Sequence, residues 1–91
     1  MLPVEWRPRA RFRLYKILAD IAELNVFAAD DLASDIEQAT SNLPAHPYLY
    51  RLGRVAGTRE IVVHPNYIVI YRVQPTFIEV VNVVHARQQY P

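Results

Sequence analysis

The sequence predicts an α+β fold: an N-terminal strand and a helical hairpin packed on a small antiparallel β-sheet, with residues 1–91 forming one domain. Three observations predict it. The C-terminal third holds runs rich in Val, Ile and Tyr, 61–73 and 80–85, punctuated by Pro65-Asn66 and Pro75, which read as a three-stranded antiparallel meander. Before them, two apolar stripes recur at helical spacing. The 91 residues suffice for one core and not for two, and a chain with 52% hydrophobic residues and two glycines can offset its ordering entropy.

In chain order, Leu2 to Trp6 alternates apolar and charged positions, suiting an edge or hairpin strand, and Pro8 marks its end and the first turn of a helix. Ala10, Leu14, Ile17, Leu18, Ile21 and Leu24 give that helix one apolar stripe opposite Arg9, Arg13 and Lys16, and Asn25 ends it. A second stripe, Ala29, Leu32, Ile36, Ala39 and Leu43, predicts a second helix with Asp30 and Asp31 in its early turn, where the helix dipole favours acids. Asn42 and Pro44 mark its exit. Residues 44–50, with two prolines and two tyrosines, read as a semi-rigid loop, and strands follow from about Leu52, with Gly53 and Gly57 at bends.

Composition narrows the function classes. The chain has no cysteine, which removes disulfides, zinc-thiolate sites and thiol chemistry and fits a reducing cytosol. Its start carries charges where a signal peptide needs an apolar core, and no apolar run approaches the roughly 20 residues of a membrane span. The expectation is a cytoplasmic protein with no membrane partner and no cofactor. A net charge of +1 conceals segregation: arginines and Lys16 crowd the first 16 residues, Asp20 to Glu37 are acidic, and Arg51, Arg54, Arg59, Arg72 and Arg87 then face only Glu60 and Glu79. Such a field suits a polyanion or an acidic protein partner.

Val4-Glu5-Trp6, the amphipathic pair, His46-Pro47 before the sheet, Arg54-Val55-Ala56-Gly57-Thr58-Arg59-Glu60 entering it and the ending His85-Ala86-Arg87-Gln88-Gln89-Tyr90-Pro91 occur in an order that resembles the RelE/ParE superfamily of bacterial type II toxins over nearly the whole chain. The His-Pro-Tyr loop and the His-Ala-Arg ending look more like the ParE branch. That resemblance implies a toxin that inhibits DNA gyrase, trapping it on cleaved DNA, and that is neutralised by a cognate antitoxin, with higher-order toxin-antitoxin assembly as a further expectation. The alternative it implies is a RelE-like endonuclease that cuts mRNA on the ribosome.

The residues nominate sites for each reading. Metal-free RNA cleavage needs an acid, a base and cations around the phosphate. His85, Arg54, Arg59, Arg72 and Tyr90 could supply these, although the lysine-rich centre of RelE proper is missing, since Lys16 is the only lysine. On the gyrase reading no catalytic residue is expected. His85 could equally cap its strand, Arg59 pair with a carboxylate across the sheet, and Arg72 lay its stem on apolar surface. The three histidines, each beside different neighbours, give no metal-ligand spacing. For the antitoxin the resemblance implies a groove beside the hairpin: Leu14, Leu18, Ile21 and Ile36, with Arg59, Arg72 and Arg87 meeting its carboxylates. These apolar residues could equally be core. Arg9, Phe12, Arg13 and Lys16 could meet the target or form a solvated face.

Overall fold

The computed structural model describes residues 1–90; Pro91, which closes the ending quoted above, lies outside the described residues. Strand β1 (Val4–Trp6) leads into α1 (Pro8–Leu24) and α2 (Val26–Ser41), then β2 (Arg51–Leu52), β3 (Arg59–His64), β4 (Tyr67–Val73) and β5 (Ile78–His85). The sheet order is β1-β5-β4-β3-β2. The meander is present as β3, β4 and β5, connected across Pro65-Asn66 and across residues 74–77. Two-residue β2 extends it antiparallel to β3.

The sheet is mixed rather than antiparallel throughout, because β1 pairs parallel with β5, Val4 opposite Ile78 and Trp6 opposite Val80. These two strands lie near opposite ends of the chain, so no hairpin turn ties their directions. The pairing makes β5 an interior strand, flanked by β1 and β4 and covered on both faces. Its near-continuous apolar run, Ile78 to Val84, is the pattern such a strand requires.

Asn25 does two jobs. Its backbone N–H donates to the Ile21 carbonyl and closes α1, while its side-chain Oδ1 accepts from the Ala28 N–H at 3.1 Å and opens α2. With only Asn25 between the helices, α2 starts at Val26, and Asp30 and Asp31 fall in its second turn rather than the first. The first turn of α2 therefore holds no acid, and its N-terminus rests on the Asn25 cap rather than on a dipole contact. Leu43 lies just past the helix, yet is fully buried.

Both helices cover one face of the sheet. Ala10, Leu14, Leu32, Ile36 and Leu43 meet Ile61, Val69, Tyr71, Ile78, Val80 and Val83 in the main core. Tyr71 is its largest fully buried side chain, and its hydroxyl donates to the Pro47 carbonyl at 2.6 Å, which ties the 44–50 loop to the sheet. The opposite face is a thinner layer, where Tyr90 and Ala86 of the C-terminal segment pack on Ile68, Ile70 and Val84. No helix of the described residues is long and apolar enough to cross a membrane.

Burial pushes the Tyr71 hydroxyl up to about 12 from its ordinary 10.0, partly opposed by the Arg59 guanidinium. The fold thus favours the neutral phenol. The stability this contributes should be fully present below pH 10 and be lost as pH rises from there through about 12. Unfolding at stepped alkaline pH checks this; stability that already falls between neutral pH and 9 from phenol ionisation would contradict it.

Candidate functional site

A bulge divides β5. Tyr71 pairs with Val80 but Ile70 pairs with Asn82, so Val81 is the extra residue, just beyond the last residue that β1 covers. The bulge shifts the alternation by one. Ile78 and Val80 face the helices before it and Val83 after it, while Asn82 and Val84 turn to the opposite face.

On that opposite face lies a cleft of about 400 Å³ lined by Arg9, Val55, Thr58, Ile70, Arg72, Val81, Asn82, Gln88, Gln89 and Tyr90. Arg9 and Arg13 lie four residues apart on α1, so both project from the same side of the helix toward the C-terminal segment. Arg13 Nη2 donates to Gln88 Oε1 at 2.9 Å. Arg54 stacks its guanidinium 4.6 Å from the Tyr90 ring centre and donates from Nη1 to the Gln88 carbonyl at 3.4 Å. Arg54 is placed by the tight 53–58 loop. There Gly53 N–H donates to the Thr58 carbonyl at 2.8 Å, a Cβ at Gly53 would collide with Thr58 Oγ1, and Gly57 takes φ 82°.

Charge in this cleft is incompletely paired. The lining contains no carboxylate. Glu79, opposite Arg72 across the strands, gives one oxygen to Arg7 at 3.1 Å, while its Oε1 is buried without a partner. Arg72 Nε, Arg13 Nε and the Tyr90 hydroxyl are likewise buried and lack hydrogen-bond partners. The other acid of the region, Glu60, is buried and committed: it takes Arg51 Nε at 3.0 Å and Nη2 at 2.9 Å, and the Arg54 backbone N–H at 3.4 Å.

The ribonuclease nominees thus divide between two faces. Arg54, Arg72 and Tyr90 meet in the cleft, whereas His85 and Arg59 do not. His85 pairs with Tyr67, whose side chain packs on the main core, and the two rings lie 5.3 Å apart in a T-shaped contact. Its Nδ1 accepts the Arg87 backbone N–H at 3.1 Å, which makes it a strand-ending turn residue; His64 does the same for Asn66 at the same distance. Arg59 donates to the Tyr48 and Tyr50 carbonyls at 3.2 and 2.7 Å and lies 5.2 Å from the Tyr48 ring centre, so backbone oxygens rather than a carboxylate hold it.

A second feature runs between the helices, a groove of about 460 Å³ lined by Trp6, Arg11, Leu14, Tyr15, Leu18, Ala33 and Ile36, with Glu37 and Thr40 at one end. Of the nominated groove residues, Leu14 and Ile36 are buried at its floor and Leu18 is half-buried in its wall. Ile21 lines a different pocket, with Leu32, His64 and Tyr67. Arg87 is exposed at the end of β5 and Arg72 lies across the sheet in the cleft, so the structure gathers no single surface from all seven. Phe12 is 68% exposed beside Arg9 and Arg13, and Lys16 is exposed one turn further on.

Sequence reasoning passed over Trp6, Arg11, Tyr15 and Ala33 in the groove and Asn82 and Gln88 in the cleft. The groove had a signal: Arg11, Tyr15 and Leu18 follow the i, i+4, i+7 spacing of one helix face. Asn82 is legible only once the bulge is known.

These features belong to a known family. The model of the ParE toxin of type II toxin-antitoxin systems matches residues 4–90. The chain belongs to the ParE toxin family. Among relatives of this ParE-family chain, the toxin-named Y4kP of Sinorhizobium fredii is 36% identical, with 97% of this chain and 92% of that one covered. Toxin RelE2 of Caulobacter vibrioides is 33% identical over 94% and 97%. The fold is similar to a chain of the chromosomal ParDE toxin-antitoxin system of P. aeruginosa, with a TM-score of 0.82 at 20% identity over 93% and 96%. It is also similar to YafQ of E. coli, with a TM-score of 0.65 at 14% identity over 94% of each chain. The protein is a toxin of the RelE/ParE superfamily from a type II toxin-antitoxin system.

Proposed function

We propose that this ParE-family toxin inhibits DNA gyrase by binding rather than by chemistry, acts in the cytoplasm and is neutralised by a cognate antitoxin. One observation carries the choice between binding and RNA cleavage: the sheet separates His85 from Arg54, Arg72 and Tyr90. The cleft holds cations and a phenol but no imidazole or carboxylate in its lining. A phosphate can be held there, yet no imidazole stands by to take a 2′-hydroxyl proton, and Glu79, the carboxylate opposite Arg72, is buried and tied to Arg7. The α1–α2 groove fits an amphipathic helix of an antitoxin that folds on binding. The solved ParDE toxin-antitoxin system and the DinJ-YafQ toxin-antitoxin complex, the latter similar at a TM-score of 0.55, support that partner class.

The RelE-like reading retains one specific support, the convergence of Arg54, Arg72 and Tyr90 on one cleft. Purified toxin titrated into a gyrase supercoiling and cleavage assay, beside a translation reaction read by primer extension, separates the two. Linear DNA accumulating with toxin dose is expected, with His85→Ala equally active. Codon-positioned mRNA cuts that fall about 10² to 10⁴-fold in His85→Ala, with gyrase untouched, would overturn the proposal.

A further inference from the structure

The outer face of α1 carries a charge order that the fold itself does not use. Arg9, Phe12, Lys16, Ala19, Asp20 and Glu23 are all exposed and recur at intervals of three or four residues, so they form one stripe, turned away from the Ala10 and Leu14 side that enters the core. Its first half is basic and its second half acidic. Among the described residues the ion pairs are Arg7 with Glu79 and Arg51 with Glu60, so Arg9, Lys16, Asp20 and Glu23 have no charged partner within the chain. Lys16 and Asp20 lie four residues apart, yet lysine before acid is the weaker order for a pair within one helix. Charges alone would mark a solvated face. Here large apolar side chains stand in the open at both ends of the stripe: Phe12 at the basic end, and Leu24, Val26 and Phe27 at the acidic end, where α1 turns into α2 and Leu24 and Phe27 are 92% and 81% exposed. Apolar groups exposed together among polar residues mark an interaction surface.

We infer that this face pairs with the same face of a second copy of the chain, the two α1 helices running antiparallel about a twofold axis near Leu18. Reversing one copy sets its basic half against the acidic half of the other, and the symmetry makes each favourable contact occur twice. With that axis Lys16 stands level with Asp20 of the second copy, and Phe12 with its Leu24. Ala19, beside the axis, is small enough to let the helices approach to the about 8–10 Å of ordinary helix packing. A parallel pairing would set like charges together, so the charges fix the orientation, while the apolar ends supply most of the affinity because exposed ion pairs are individually weak. One helix face makes a small interface, near or below the roughly 1,200 Å² at the low end of stable complexes. The dimer is therefore a weak one, with a dissociation constant on the order of 10 µM. The groove between α1 and α2 lies on another side of α1 and stays open, and the pairing holds whichever macromolecule the toxin inhibits.

The test is sedimentation velocity of the full chain without antitoxin, from about 1 to 300 µM, a range that brackets that affinity. Wild type should pass from monomer to dimer across it. Lys16→Glu and Asp20→Lys each set like charges level with one another twice and should each weaken the dimer by about tenfold or more. Both positions are exposed, so the variants should stay folded. An equimolar mixture of the two should recover a heterodimer at least as tight as wild type, a result that misfolding cannot produce. Asp35→Lys makes the same charge change on α2, where exposed Asp35 lines a pocket with His64 away from the stripe. It should dimerise as wild type does and pair with Lys16→Glu less tightly than Asp20→Lys does. A wild-type chain that stays monomeric throughout, reversals that leave the dissociation constant unchanged, or a mixture that remains monomeric would overturn the pairing. So would equal rescue by Asp35→Lys, which would reduce the attraction to net charge.

Discussion

Tyr71→Ala is expected to destabilise the toxin by about 3–5 kcal/mol, enough to leave a marginal 91-residue domain partly unfolded at 37 °C. Tyr71 is fully buried, lies edge-on to Tyr50 at 6.3 Å, pairs across the strands with Arg59 and donates to the Pro47 carbonyl. It is thus where the helical layer, the sheet and the 44–50 loop meet. Alanine would leave a ring-sized cavity and a carbonyl without its donor at once. Tyr71→Phe separates the two effects: it keeps the ring and should cost only about 1–3 kcal/mol, the penalty of the unmet carbonyl. Urea unfolding of both variants measures the difference, and a Phe variant as unstable as the Ala variant would show that packing is not the larger contribution.

Most of the architecture was legible because it rests on local chemistry. The apolar stripes of α1 and α2, Pro8 at the helix start and the Pro65-Asn66 turn each specify their element within a few residues. What escaped is non-local. Nothing in Val4-Glu5-Trp6 encodes the direction of its partner strand, which lies near the other end of the chain. The early-turn placement of Asp30 and Asp31 failed because one residue, Asn25, caps two helices, and capping rules read each helix separately. The candidate site suffered most from the same limit. His85 and Arg72 both lie on strands of one meander, and strict alternation cannot say whether they share a face when a bulge intervenes at Val81. A single inserted position therefore decides whether His85 joins Arg72, and here it places His85 on the helix side and leaves Arg72 with Tyr90 on the other.

The groove between the helices yields the second large effect. Ala33 is half-buried in its wall, opposite Leu14, Tyr15 and Leu18 of α1, and the small side chain keeps the space between the helices open. Ala33→Trp should fill that space and lower affinity for the cognate antitoxin by about 100-fold or more, near 2.7 kcal/mol at 1.4 kcal/mol per tenfold. Overpacking inside a closed core would cost the fold about 1–3 kcal/mol, but the groove opens to solvent and the indole can turn outward, so the toxin should remain folded. Gyrase inhibition by the variant should persist and resist relief by antitoxin, because none of the residues nominated for the target, Arg9, Phe12, Arg13 and Lys16, lines this groove. Calorimetric titration of antitoxin into both proteins reads the loss directly. An unchanged affinity would move the antitoxin off the groove and onto the uncovered edge of β3 beyond Glu60, where β2 pairs only with Arg59 and Glu60 and leaves Ile61 to His64 without an outer strand.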